Sequence, residues 1–337
     1  MRVISKTNLC SASDLVRFVG CAHATSLDLM RLGLDAVAHD AASDDAALLQ
    51  KQAGAHTDAY LQRVRSAGKT LSKLQRGDLT MDARATKSVL AQGSEVIVNA
   101  ALLSGHWGGW ADFLERVERP SDLGPFSYEV VIAKLKRRPH PKHVLQLVLY
   151  SDLLARVQGA APEFAHIELG DGTRATLRLS DYAAYARLTR ERFEAFADVP
   201  QPTRPVPCSD CSLCQWADHC DGVWTATDSL FKVANISRGQ VKKLEAAGVA
   251  TMAELAALHH PVRGLADNTR LRLITQARLQ HARKTADPAF ELRPPEAGKG
   301  FDLLPEPRMG DLFYDIEGDP HYAKRLNRCG WSIRSVR

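Results

Sequence analysis

Four cysteines fall within thirteen residues, Cys208, Cys211, Cys214 and Cys220, spaced C-x2-C-x2-C-x5-C. Thiolates held this close repel one another unless they share a metal, and a C-x2-C turn lets two sulfurs point at one ion. Two ligand sets fit the spacing. In one, the four local cysteines bind Zn²⁺ as a tetrahedral knuckle. In the other, Cys211, Cys214 and Cys220 join Cys21 around an iron–sulfur cluster, and Cys208 stands aside. The second set closes a loop of 190 residues (211 − 21). By analogy with disulfide chain entropy, such a staple contributes on the order of 4–5 kcal/mol. A second constellation is Asp315 and Glu317 in DLFYDIEGDP. Two residues apart on an apolar strand, their carboxylates face one way and could share a metal.

The chain around these residues has 337 positions, 45% hydrophobic and 25% charged, with seven cysteines and a net charge of +5. That composition excludes a disordered or fibrous protein, and the length suggests about two domains. No run of ~18 uncharged apolar residues occurs, and the N-terminus lacks a signal-peptide pattern. A soluble, cytoplasmic protein with no membrane role is expected, where clustered cysteines hold metal more often than they pair. The small positive charge permits a polyanionic partner without establishing one.

The secondary structure around these groups follows from periodicity. Residues 11–34 read as a Ser-capped helix carrying Cys21 and a second apolar helix, and a longer helical region is expected from Asp44 to Leu74. The period then changes to two. Residues 95–103, 106–117 and 126–136 read as three strands of an antiparallel meander. A helix opened by Pro141 and closed by Gly159 follows, then two short strands and a helix from Asp181 to about Phe196. This predicts a mixed α/β unit, one sheet flanked by helices. At Pro200 a proline- and cysteine-rich loop begins. Beyond it lie two amphipathic helices around Gly248, a third helix, and a Pro/Gly-rich linker over 286–310.

Taken together, Cys21 in FVGCAHATSLDL and the C-x2-C-x5-C of Cys211, Cys214 and Cys220 make residues 1–222 resemble the RecB-like iron–sulfur nucleases of the PD-(D/E)XK superfamily, the group that includes the CRISPR-associated RecB-like exonucleases. The resemblance implies a restriction-endonuclease-like α/β core with a metal-stapled cysteine loop, and a [4Fe–4S] cluster on those four cysteines. It also implies a metal-dependent DNA nuclease acting on single strands or ends in repair or recombination, with a helicase as a possible partner. The family's motifs map onto GAHTDAY, GGWADFL, YEVVIAK and QLVLY. On that mapping His56 and Asp112 bind Mg²⁺ or Mn²⁺, Lys134 is catalytic, and Gln146 and Tyr150 line the DNA side of the site.

The sequence departs from the pattern at one decisive position. The family's second metal carboxylate stands two residues before the Lys, and here that residue is Ile132. Spacing of two puts 132 and 134 on one strand face, and Ile cannot ligate. Glu129, five residues before Lys134, is expected on the opposite face. Fold retained with weakened or lost cleavage is therefore expected; the alternatives are an inactive nucleic-acid-binding protein of the same fold and a zinc-stapled structural protein.

Residues 226–285 resemble a helix-hairpin-helix, in which a Gly-containing turn offers backbone N–H groups to phosphate, with Lys242 and Lys243 adding charge. Residues 311–337 resemble the start of an RNase H-like DEDD exonuclease domain. Only twenty residues follow Glu317, too few for such a domain, so a truncated member with no working Asp315–Glu317 site is expected.

Overall fold

The computed structural model describes residues 2–4, 7–33, 44–283, 290–292, 294–311, 316–318 and 331–333. Two short strands, β1 (Arg2–Ile4) and β2 (Thr7–Leu9), pair antiparallel. Helix α1 (Ala12–Gly20) starts at a capping box: the Ser11 side chain accepts from the Asp14 N–H, and the Asp14 carboxylate accepts from the Ser11 N–H. Helix α2 (Ala22–Gly33) follows directly. Cys21 is the single residue between them.

Helix α3 (Asp44–Ser66) ends earlier than the expected Leu74. Gly68 takes a left-handed φ of +73° and its N–H bonds the Arg65 carbonyl, closing the helix. Leu71–Lys73 then forms β3, an edge strand parallel to β4. Between them lies α4 (Leu79–Ala91), which has Asp78 as its N-cap and was not anticipated from the sequence.

The meander is as expected. β4 (Val96–Ser104), β5 (Trp107–Val117) and β6 (Ser127–Lys134) pair antiparallel in chain order. Helix α5 (Pro141–Gln158), with Pro141 in its first turn and a left-handed Gly159 at its end, crosses to β7 (Phe164–Leu169), parallel to β6. β8 (Arg174–Arg178) and α6 (Ala183–Asp198) follow. The result is a mixed α/β architecture on a six-stranded sheet ordered β3-β4-β5-β6-β7-β8.

The two sheet faces are covered differently. α5, α1 and α6 bury Leu15, Leu147, Leu154 and Phe193 against Ile97, Leu114, Val130 and Ile132 on one face. On the other, Tyr60, Leu61 and Val64 of α3 pack on Val96, Val98, Phe113 and Val131.

An ion-pair network joins α3 to that second face. Arg174 bonds Glu115 and Glu168, Arg63 bonds Glu168, and the Tyr60 hydroxyl donates to Glu115. Burial pushes the Glu115 carboxyl up, but the hydrogen bonds from Arg174 and Tyr60 outweigh it and bring it from 4.5 down to about 2. A carboxylate depressed in the folded state contributes stability above its unfolded value and loses it as pH falls through the folded value. Stability should therefore decline between about pH 5 and 2. Arg174→Met, which leaves Glu168 to Arg63 and Glu115 to the Tyr60 hydroxyl, is expected to cost about 1–2 kcal/mol at pH 7 and to flatten that acid limb. Urea melts at pH 7 and pH 3 read both effects.

The chain divides into two compact units, Met1–Lys232 with Ile236–Lys242, and Val233–Asn235 with Lys243–Arg337. The first closes with α7 (Ala217–Ala226) after the cysteine loop. α8 (Arg238–Ala246) leads into the second, where α9 (Met252–Ala256) and α10 (Asp267–Ala282) pack around Leu255, Leu258, Leu273 and Ile274. Near the end, β9 (Ile316–Gly318) pairs antiparallel with β10 (Trp331–Ile333). Among the described residues, no helix is long and apolar enough to cross a membrane.

Candidate functional site

Four of the expected nuclease residues gather on the α5 side of the sheet. Asp112 on β5 and Lys134 at the end of β6 approach with Nζ 3.8 Å from Oδ2. Asp112, Gln146 and Tyr150 line one cleft of about 370 Å³, with Ser11, Asp14, Arg76, Gly109 and Trp110 among its other walls. Gln146 and Tyr150 reach it together because i and i+4 share a face of α5. Burial first, then the Asp112 charge, raises the Tyr150 hydroxyl far above neutral pH, so it serves only as a neutral group. Gly109 lets the tyrosine approach: a Cβ there would lie 2.8 Å from Oη.

Asp112 owes its setting to a slip in the strand alternation. Val98 and Phe113 pair and face α3, whereas Ala100 and Ala111, the next pair on that face by simple alternation, face α5. The residues between them are Asn99, at a left-handed φ of +58°, and Asp112. Such an irregularity re-aims side chains out of the regular pleat. Asn99 uses its amide to hold the adjoining loop, donating from Nδ2 to the Leu74 carbonyl at 3.1 Å and accepting from Arg76 Nε at 3.1 Å.

Ile132 is fully buried, one residue beyond the Val131–Phe113 pair that precedes Asp112. Glu129 does not replace the missing acid. Its carboxylate accepts from the Phe164 N–H at 3.1 Å and meets His166 Nε2 at 2.9 Å. His56 is not among the residues lining the cleft, and its Nε2 lies 3.1 Å from the Glu168 backbone carbonyl. The sequence reading missed Arg76, whose terminal nitrogen is 3.9 Å from Asp112 Oδ1. It also missed His143, one helical turn before Gln146. Burial, then the nearby Lys134 charge, lowers His143 to about 4 and keeps it neutral.

The cysteines converge from both ends of the first unit. Cys21, Cys208, Cys211, Cys214 and Cys220 all line a second cleft of about 670 Å³. The loop is docked there by apolar packing and by one acid. Trp216, fully buried, packs with Ala24 and Leu27 and against Cys21, Cys214 and Cys220. Asp28 of α2 accepts from Trp216 Nε1 at 2.9 Å and Gln215 Nε2 at 2.8 Å, and pairs with Arg17 at 3.2 Å.

This donor set suits a soft, thiolate-bound metal or cluster. Burial, then the charges of Cys214, Cys21, Cys211 and Cys208, raises the Cys220 thiol to about 12, a repulsion that a shared cation reverses. Backbone N–H groups already point at two sulfurs, Ala24 N to Cys21 Sγ at 3.4 Å and Cys208 N to Cys211 Sγ at 3.3 Å. Cys208 Sγ lies 3.7 Å from Cys211 Sγ, so proximity alone does not separate the local zinc set, which includes Cys208, from the iron–sulfur set, which does not. No three or more His, Cys, Asp or Glu side chains among the described residues sit at metal-coordinating geometry.

The hairpin differs from expectation. Gly248 takes φ +83° between α8 and α9, as a Gly turn should. Yet every N–H from Ala247 to Thr251 is already bonded: the first three to carbonyls of α8, and those of Ala250 and Thr251 to Glu254 Oε2. Lys243 is tied to the Gly264 carbonyl. The amides expected to meet phosphate are thus occupied within the hairpin. Asp315 lies outside the described residues, as does the side chain of Glu317, whose backbone belongs to β9.

No protein-family model matches the chain, and none of the curated proteins searched matches it either.

Proposed function

We propose that the chain engages DNA on a RecB-like nuclease scaffold whose phosphodiesterase site is weakened by Ile132. The observation that carries this reading is the meeting of Asp112 and Lys134 at 3.8 Å from neighbouring strands, with Gln146 and Tyr150 in the wall of the same cleft. Carboxylate, ammonium and neutral donors on one concave surface are what phosphodiester hydrolysis requires. Asp112 would be the residue to hold Mg²⁺ or Mn²⁺, which would supply charge neutralisation at the phosphate and acidify water, but with Arg76 and Lys134 beside it and Ile132 in place of a second acid it would hold the ion only weakly. Lys134 is placed to orient an attacking water, and Gln146 and Tyr150 to direct their polar groups to the sugar–phosphate chain. Cys21, Cys211, Cys214 and Cys220 would hold the [4Fe–4S] cluster as a staple between the start and end of the domain.

The test uses the full chain and a 5′-labelled single-stranded oligonucleotide with Mg²⁺ or Mn²⁺. Binding with slow cleavage, lost in Asp112→Ala, is expected. Robust turnover abolished by Asp112→Ala overturns the weakened-site reading, and failure to bind overturns the assignment to DNA. Binding without any cleavage is the second reading, favoured by the two cations that flank the lone Asp112.

A further inference from the structure

Around its central carboxylate the cleft holds positive charge where a metal site would hold negative. Arg76 sits in the loop between β3 and α4, anchored from behind by Asn99. Its terminal nitrogen stands 3.9 Å from one oxygen of Asp112, and Lys134 Nζ stands 3.8 Å from the other. Both separations exceed hydrogen-bond length. Each cation therefore keeps N–H donors for another anion. The second acid in the wall, Asp14, is engaged: its Oδ2 accepts from the Ser11 N–H at 2.8 Å and hydroxyl at 2.7 Å. It also lies in the first turn of α1, where the helix dipole offsets its charge.

A divalent cation placed at Asp112 would find one carboxylate, two positive neighbours, and the hydrocarbon of Ile132 where a second ligand is needed. A phosphate would find the Arg76 guanidinium fork near one oxygen of Asp112 and the Lys134 ammonium near the other, opposed by Asp112 and by Asp14, whose carboxylate is held in the α1 cap. We infer that this cleft grips a backbone phosphate of nucleic acid directly, between Arg76 and Lys134, without a divalent metal. The inference rests on the nucleic-acid reading above and specifies how that ligand is held.

The experiment measures binding of fluorescein-labelled dT20 to the full chain by anisotropy, in EDTA and in Mn²⁺, across a salt series. Affinity in EDTA should match that in Mn²⁺. Arg76→Ala is expected to weaken binding about 10-fold and to reduce the slope of log K against log salt by about 1. Arg76→Lys should recover part of the affinity, which also guards against a folding defect at this half-exposed side chain. Asp112→Asn, which removes the opposing charge, should bind more tightly in EDTA. Binding that needs Mn²⁺ and is lost in Asp112→Asn overturns the inference, as does an Arg76→Ala chain with wild-type affinity and slope. Absence of wild-type binding in both buffers overturns instead the nucleic-acid reading beneath it.

Discussion

Ile132→Glu is expected to gain Mn²⁺-dependent cleavage of single-stranded DNA by at least about 100-fold over the wild type, the scale on which a single electrostatic contribution to the transition state acts. The substitution restores a carboxylate two residues before Lys134, on the same strand face and one residue beyond the Phe113–Val131 pair, as Asp112 is on β5. Two carboxylates would then balance the Arg76 and Lys134 cations and offer a divalent ion a pair of ligands. The variant has a stability signature as well. Ile132 is fully buried in the α5-side core, so a lone carboxylate there should cost about 3 kcal/mol without metal. Mn²⁺ at 100 times its dissociation constant would return about 2.7 kcal/mol. A melting temperature that rises with Mn²⁺ in Ile132→Glu but not in the wild type, together with cleavage, is the expected pair of results. If neither appears in a folded variant, position 132 does not limit the site.

Cys21→Ser is expected to release iron, bleach the visible absorption of anaerobically purified protein, and destabilise the first unit by about 4 kcal/mol through the loss of a long-range cross-link. Cys21 lies between α1 and α2, while Cys211 and Cys214 lie in the loop before α7 and Cys220 in α7 itself, so a group shared by all four would close most of the domain into one ring. Cys208→Ser is the matched control and should keep both metal and colour. The reverse outcome, with Cys208→Ser losing the metal and Cys21→Ser retaining zinc in a colourless protein, would replace the iron–sulfur assignment with the local zinc knuckle. Metal analysis by mass spectrometry and thermal melts of the two variants decide between them.

The parts of this fold that could be read from the sequence were those whose signal is local. β4, β5 and β6 announce themselves through two-residue alternation and intervening turns, and α5 through Pro141 and Gly159. β3 was read as helix because Leu71–Lys73 is three residues long and is a strand only by virtue of lying beside Val96–Val98. α4 is polar enough that its best mark is the Asp78 cap.

The site divides in the same way. Lys134, Asp112, Gln146 and Tyr150 fall in recognisable motifs, and the structure brings them together. Arg76 and Asn99 have no motif; their part follows from the irregular Asn99–Asp112 position between β4 and β5 and from a loop that meets Asp112 only after the sheet has formed. Asp28 was likewise silent, an ordinary acid in α2 until Trp216 and Gln215 arrive from 187 residues or more away.

That aspartate also changes what the loop depends on. Asp28, Trp216 and Gln215 seat the cysteine loop against α2 through hydrogen bonds and apolar packing, whereas in small zinc modules the ion itself holds the ligand loops and its capture and folding are one event.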